Sequence, residues 1–305
     1  MTREELNKEV QDEIIHEQKK ETVKKTVKLF IKILVFIILF GGLFFAYTTY
    51  ISTKKIVVNE HRIINKKIPE NYSGTKIIQL SDLHYGSTMF IEDVEKIVKL
   101  SNERNPDLVV FTGDLINKGY NLSSKEQEKI IEKLKAITAS LGKYAILGDE
   151  DTEKVSTIFN QSDFTILRNE YDLLYNDNNT PILLVGLGSS LKNQQDIEKA
   201  YNYFKEENHI GDIYTITMMH EPDSVDSIID NYSTDLFLAG HSHNGIIRVP
   251  YFNIGLFKYE GAKKYYQDYY KIKDSELFIS SGLGTKDGIR LFCRPSINFF
   301  RLSTE

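Results

Sequence analysis

From Leu29 to Ile51 the chain reads LFIKILVFIILFGGLFFAYTTYI, broken only by Lys32, the glycines Gly41 and Gly42, and the polar Thr48 and Thr49. A helix apolar on every face has no side to turn to water, so such a stretch is a poor core helix for a soluble protein. Its length suits a hydrocarbon core of about 30 Å. Gly41 and Gly42 would weaken a helix in water, but they are tolerated in lipid, where no water competes for the backbone. Tyr47 and Tyr50 fall where an interfacial aromatic belt lies. A cleaved signal peptide would end in small residues of the A-x-A kind, and FFAYTTY offers none. Residues 29–51 are therefore expected to be an uncleaved, single-pass anchor in the cell membrane. Before it lies a charged tail, residues 1–28, and after it a domain of residues 52–305.

The charge bias across the span is small. Lys19, Lys20, Lys24, Lys25 and Lys28 precede it, while Lys54, Lys55, Arg62, Lys66 and Lys67 follow it. The short tail and large translocatable domain, with the positive-inside rule, favour an extracytoplasmic domain. The tail has thin apolar spacing at Val10, Ile14, Val23 and Val27 and reads as a solvated helix or a frayed end.

The remainder is ordinary for a globular protein, since the 305 residues are 41% hydrophobic and 27% charged. A net charge of -5 gives no basic footprint, so no nucleic-acid partner is expected. The single cysteine, Cys293, excludes an intrachain disulfide and is expected to be a small buried apolar residue.

Apolar runs alternate with helical spacing. Strands are expected at 55–64, 76–80, 108–112, 144–147, 163–167, 181–186, 213–218, 236–239, 246–249, 276–281 and 297–302. Helices are expected at 91–102, 123–140, 196–204 and 223–230, the second opened by a cap at Ser123 or Ser124. This rhythm predicts a layered α/β domain with helices on the outer faces.

The polar clusters fall just after the apolar strands. In order they are Asp82 and His84 in SDLH, Asp114 in TGDL, Asp149 in LGDED, His220 in MMHEP, and His241 with His243 in AGHSHNG. The other three histidines, His16, His61 and His209, lie elsewhere. Each fragment alone is weak. A Gly-Asp after a strand is often only a turn, and a solitary His220 reads more readily as a core histidine. Five fragments at five strand ends carry more, because groups at the carboxyl ends of strands converge in α/β sheets. Mixed carboxylate and imidazole donors suit Mn, Fe or Zn.

Taken in order, SDLH, GD, H and GHSH resemble the calcineurin-like metallophosphoesterases. KIIQLSDLH, AGHSHNGII and SGLGTKDGIR are similar to a bacterial membrane-associated branch, over about residues 55–303. The resemblance implies a two-sheet sandwich flanked by helices and hydrolysis of a phosphomonoester or phosphodiester. One divalent ion would sit on Asp82, His84, Asp114 and His243; a second would sit on Asp149, His220 and His241, with Asp114 as the bridge. Two such ions about 3.5–4 Å apart clamp phosphate and generate an attacking hydroxide.

The block Gly148-Asp149-Glu150-Asp151 departs from the G-N-H-[DE] of that family. Asp149 adds a negative charge, which favours Mn. Glu150 stands where the family's histidine contacts phosphate, and it would act as a general acid only with a raised pKa. Otherwise it would be an exposed loop acid. Ile246 replaces a common Gln, and Arg290 matches a downstream Arg, expected to form a structural salt bridge. The Tyr-rich 259–274 is expected to pack rather than bind lipid. Tethering suggests a lipid- or wall-linked phosphate substrate; the oligomeric state is left open. The competing reading is a degenerate module of the same fold that binds metal or a phospho-ligand without turnover.

Overall fold

Ile77 and Ile78 are neighbours and both are completely buried. Successive side chains of a strand point to opposite faces, so this strand must be covered on both sides. In a computed structural model that describes residues 2–177, 180–206, 213–249 and 254–305, both sides are covered by different layers.

The first sheet contains β1 (Val57–Ile64), β2 (Lys76–Leu80), β3 (Leu108–Thr112), β4 (Lys143–Ile146) and β5 (Thr165–Ile166). The second begins with β6 (Glu170–Leu174), β7 (Ile182–Gly186), β8 (Thr215–Met218) and β9 (Leu236–Ala239). A small hairpin, β10 (Arg248–Val249) with β11 (Ile254–Gly255), precedes β12 (Tyr269–Ile272), β13 (Ser275–Ile279) and β14 (Ser296–Ser303). The strand orders are β1-β14-β2-β3-β4-β5 and β12-β13-β9-β8-β7-β6. β2 to β5 run parallel, as do β7, β8, β9 and β13, so the carboxyl ends of each parallel set share one edge.

Alternate residues of each strand enter different cores. Ile77, Val110 and Ile146 of the first sheet meet Leu184, Ile216 and Leu238 of the second in the central core. Ile78, Val109 and Phe111 point the other way, onto α2 (Ile91–Asn102), α3 (Ser124–Lys135) and α4 (Glu153–Gln161); α1 (Arg3–Ala46) precedes them. Val185, Phe237 and Ile279 face a third core with Tyr201, Val225 and Ile228 from short helical turns. The result is the two-sheet sandwich with outer helices that the sequence implies.

The chain separates into two units, Met1–Thr48 and Thr49–Glu305. In the first, α1 is one helix that takes in the charged tail and most of the apolar stretch, and the segment is long and apolar enough to cross a membrane. Every large apolar side chain from Leu29 to Phe45 is exposed. A π-helical turn, Tyr47–Ile51, follows.

Several elements differ from expectation. The strand expected at 163–167 shrinks to two residues, and β6 and β12 were not anticipated. The strand expected at 246–249 is reduced to β10, its last two residues, after a 3-10 turn at His243–Gly245 and a positive φ at Ile246. The helix expected at 123–140 stops at Lys135, with Ser123 as its cap in a reciprocal capping box with Glu126. His61 is held between the rings of Phe278 and Phe300, and His209 lies outside the described residues. Leu184 is completely enclosed between the sheets. Leu184→Ala is expected to lower stability by about 2–5 kcal/mol through the cavity it leaves, read as a fall in the guanidinium unfolding midpoint by circular dichroism.

Candidate metal centre

Five parallel strands deliver the expected residues. β2 ends at Leu80, β3 at Thr112, β4 at Ile146, β8 at Met218 and β9 at Ala239. Asp82, Asp114, His220 and His241 each lie just past a strand end, with His84, Asp149 and His243 slightly further on. Asp82, His84, Asp114, His241 and His243 all have positive φ, between 42° and 65°. Non-glycine residues seldom adopt this conformation, and clusters of it mark sites where geometry is over-determined. Small neighbours make the close approach possible. A Cβ on Gly148 would lie 2.2 Å from Asp114 Oδ1, and one on Gly113 (φ +97°) would lie 2.5 Å from His220 Nδ1.

All seven residues converge. Donor atoms of Asp114, Asp149, His220 and His241 lie within 4.8 Å of one another, as do those of Asp82, His84 and His243. Asp114 Oδ2 stands between the groups, 3.3 Å from His220 Nε2 and 3.7 Å from His84 Nε2. A third group at the same spacing, His84, Asp114 and Glu150, was not anticipated as one.

The donor set fits metal ions on three counts. His220 Nδ1 lies 2.6 Å from the Thr112 carbonyl and His241 Nε2 lies 2.6 Å from the Glu260 carbonyl. Each ring donates outward there, which turns its other nitrogen toward the carboxylates. Second, imidazole nitrogens face each other without intervening atoms: His84 Nε2 and His243 Nε2 at 3.2 Å, His241 Nδ1 and His220 Nε2 at 3.3 Å. Third, Asp149 Oδ1 is buried and accepts no hydrogen bond, although it lies 3.2 Å from His220 Nε2 and 3.1 Å from His241 Nδ1.

The electrostatics show how much positive charge this cluster demands. Burial pushes the Asp82 carboxyl up. Burial works the same way on Asp114, but His220 and His84 overcome it and hold that carboxyl at about 2. Asp149 is held well below the carboxylate range, against burial, by His220 and His241. His220 is raised well above its ordinary value, against burial, by Asp114, Asp149 and Asp82. His243 is lowered by burial and by the neighbouring His84 and Arg290.

Two expectations need correction. Glu150 is no exposed loop acid, and its carboxyl is not raised in the way a general acid would need. Its side chain is only 7% exposed, with Oε2 3.4 Å from His84 Nδ1 and accepting from the Lys118 N–H at 2.9 Å. Burial opposes ionisation, but His84 and that N–H hold the carboxyl below its usual range. Arg290 makes no salt bridge among the described residues. It is completely buried; Nη2 donates to the carbonyls of Gly282 and Gly284 and lies 3.2 Å from His243 Nδ1. Cys293 is buried as expected, with Sγ 3.1 Å from the His243 carbonyl.

Sequence reasoning gave Asp151 no role. Its buried carboxylate accepts from the N–H groups of Asp114 (2.8 Å), Leu115 (2.9 Å) and Gly148 (2.9 Å), tying the β3 and β4 loops together. Burial and the nearby Asp114 lift it to about 6. Its place in the GDED block was the only signal.

A buried cluster of this composition at the shared edge of two sheets defines a class of protein. Residues 75–245, more than half of the chain, match the calcineurin-like phosphoesterase family, and the chain belongs to it. Among its relatives, the metallophosphoesterase YkuE of Bacillus subtilis is 28% identical over 85% of this chain and 90% of that one. The phosphodiesterase YaeI of Escherichia coli is 26% identical over 85% and 92%. The UDP-2,3-diacylglucosamine pyrophosphatase LpxG of Chlamydia muridarum is 27% identical over 78% and 88%.

Asp151→Ala would leave three buried N–H groups without an acceptor, and an unsatisfied buried donor costs about 1–3 kcal/mol. That variant is expected to unfold at clearly lower guanidinium concentration and to bind Mn²⁺ more weakly by calorimetry.

Proposed function

We propose that the chain hydrolyses a phosphomonoester or phosphodiester at a centre of two divalent ions, Mn favoured, and is tethered to a membrane by residues 29–51. The observation that carries this reading is the convergence of seven donor residues into two groups that share Asp114. Asp82, His84, Asp114 and His243 would hold one ion; Asp114, Asp149, His220 and His241 would hold the other. When bound, such ions neutralise phosphate oxygens and make water acidic enough to attack at neutral pH. The chain's own residues do the rest. The carbonyls of Thr112 and Glu260 fix two imidazole tautomers, Asp151 fixes the loops, and Glu150 acts as a positioning carboxylate beside His84. The division into a tail (1–28), an anchor (29–51) and a catalytic domain (52–305) placed outside the cytoplasm belongs to this proposal. The LpxG relative, named for a diacylated substrate, supports a lipid-linked phosphate ester or anhydride.

A second reading, a metal- or phospho-ligand-binding module without turnover, is favoured by one observation: the Glu150 carboxylate, set 3.4 Å from His84 Nδ1, stands where a proton donor would serve. The two separate on the full chain in detergent with Mn²⁺, assayed on p-nitrophenyl phosphate and bis-p-nitrophenyl phosphate beside Asp114→Ala. The catalytic reading predicts turnover that Asp114→Ala abolishes, with about two ions bound per chain. Bound metal without turnover on these or lipid-linked esters would establish the binding module instead. For the tether, the full chain is expected to stay with membranes through an alkaline carbonate wash, and a variant lacking residues 1–51 to be released. Release of both would remove the anchor.

A further inference from the structure

The donor cluster is rich in carboxylates, yet a departing phosphoester oxygen develops negative charge that some group must meet. Several cations surround the cluster, and most are engaged. Arg290 is sealed behind His243 by two glycine carbonyls. Lys192 donates to the Asp151 carbonyl and Lys154 to the Leu122 carbonyl. Lys286 differs: among the described residues it makes no hydrogen bond, and its side chain is 28% exposed.

Its position is nevertheless defined by two supports. Nζ lies 3.9 Å from Glu150 Oε1, too far for a hydrogen bond but close enough for attraction. It also lies 4.1 Å from the centre of the Tyr259 ring, within cation–π range. Both supports touch the donor cluster. Glu150 N donates to Asp114 Oδ1 at 3.0 Å, and its carboxylate stands beside His84. The Tyr259 ring packs edge-on against His241 (5.9 Å) and His243 (6.0 Å), and its hydroxyl donates to Asp287, next in sequence to Lys286. A partly exposed ammonium thus stands between Glu150 and Tyr259, with no hydrogen bond among the described residues.

We propose that Lys286 is a catalytic residue whose ammonium contacts the departing oxygen of the phosphoester, with Glu150 and Tyr259 holding it there. This rests on the hydrolytic reading above. As the oxygen of water bonds to phosphorus and gives up a proton to solvent, the bond to the leaving group breaks and its electron pair stays on the departing oxygen. Lys286 meets that charge by donating a hydrogen bond, and the oxygen takes its proton from solvent. Glu150 therefore serves catalysis by placing a cation.

The test compares two phosphodiesters in the Mn²⁺-loaded full chain, one with a p-nitrophenolate leaving group and one with a simple alkoxide. A p-nitrophenolate stabilises its own charge, and an alkoxide does not. Losing one donor to a developing oxyanion costs about 10²–10³ in rate. Lys286→Met is expected to lose that much in kcat/KM on the alkyl ester but less than about tenfold on the nitrophenyl ester. Metal content and unfolding midpoint should be unchanged, and Lys286→Arg should recover part of the alkyl-ester rate. Equal loss on both esters, no loss on either, or an Arg variant no better than Met would overturn the role of Lys286 while leaving the hydrolytic reading intact. A parent chain that binds metal and cleaves neither ester would overturn both.

Discussion

Asp82 and Asp114 are carboxylates buried to 0% and 2% exposure at the edge of a sheet. A carboxylate taken out of water costs several kcal/mol unless opposite charge and hydrogen bonds surround it. Much of the surrounding structure answers that demand. The His241 N–H donates to both oxygens of Asp82, Ser81 donates to Asp82, and the Glu150 N–H donates to Asp114. The remaining negative charge is faced mainly by imidazoles, which at their ordinary pKa are mostly neutral at pH 7. Without ions, the carboxylates raise His84 and His220 to fill the deficit. Divalent ions between the same atoms would fill it instead and return those protons to solvent.

Meeting that demand dictates the architecture. Parallel strands in both sheets send their carboxyl ends to one place, and five of the seven donor residues accept left-handed backbone to aim there. The sheets are pinned to each other beneath the site by a buried amide: Gln79 Nε2 donates to the Ala239 carbonyl at 2.9 Å and to Thr112 Oγ1 at 3.2 Å. Asn298 Nδ2 donates to Gln79 Oε1 at 3.0 Å, which completes the amide. His220 adds a second cross-link through the Thr112 carbonyl. A fully satisfied buried network of this kind both stabilises and specifies.

The parts of this plan that were legible in the sequence are those with a local cause. The helix at Ile91–Asn102 matches its expected bounds because its apolar residues keep a helical period. The central strands were readable as short apolar runs ending in a polar motif. β6 (EYDLL) is half exposed and interrupted by Asp172, and β12 (YYKI) is only four residues long with a lysine inside it; neither carried a pattern that singled it out. The donor residues were readable because type and order repeat a known family. Their supports were not. Arg290 reads as half of an ion pair but is satisfied by backbone carbonyls, Asp151 reads as a loop acid but accepts three N–H groups, and Lys286 is one lysine among many until the fold sets it between Glu150 and Tyr259.

Two ions sharing Asp114, as proposed, would be seen most directly by anomalous diffraction from crystals of the chain grown with Mn²⁺. Two peaks about 3.5–4 Å apart are expected, one bounded by Asp82, His84 and His243, the other by Asp149, His220 and His241, with Asp114 contacting both. A single peak, or peaks away from these residues, would contradict the proposal.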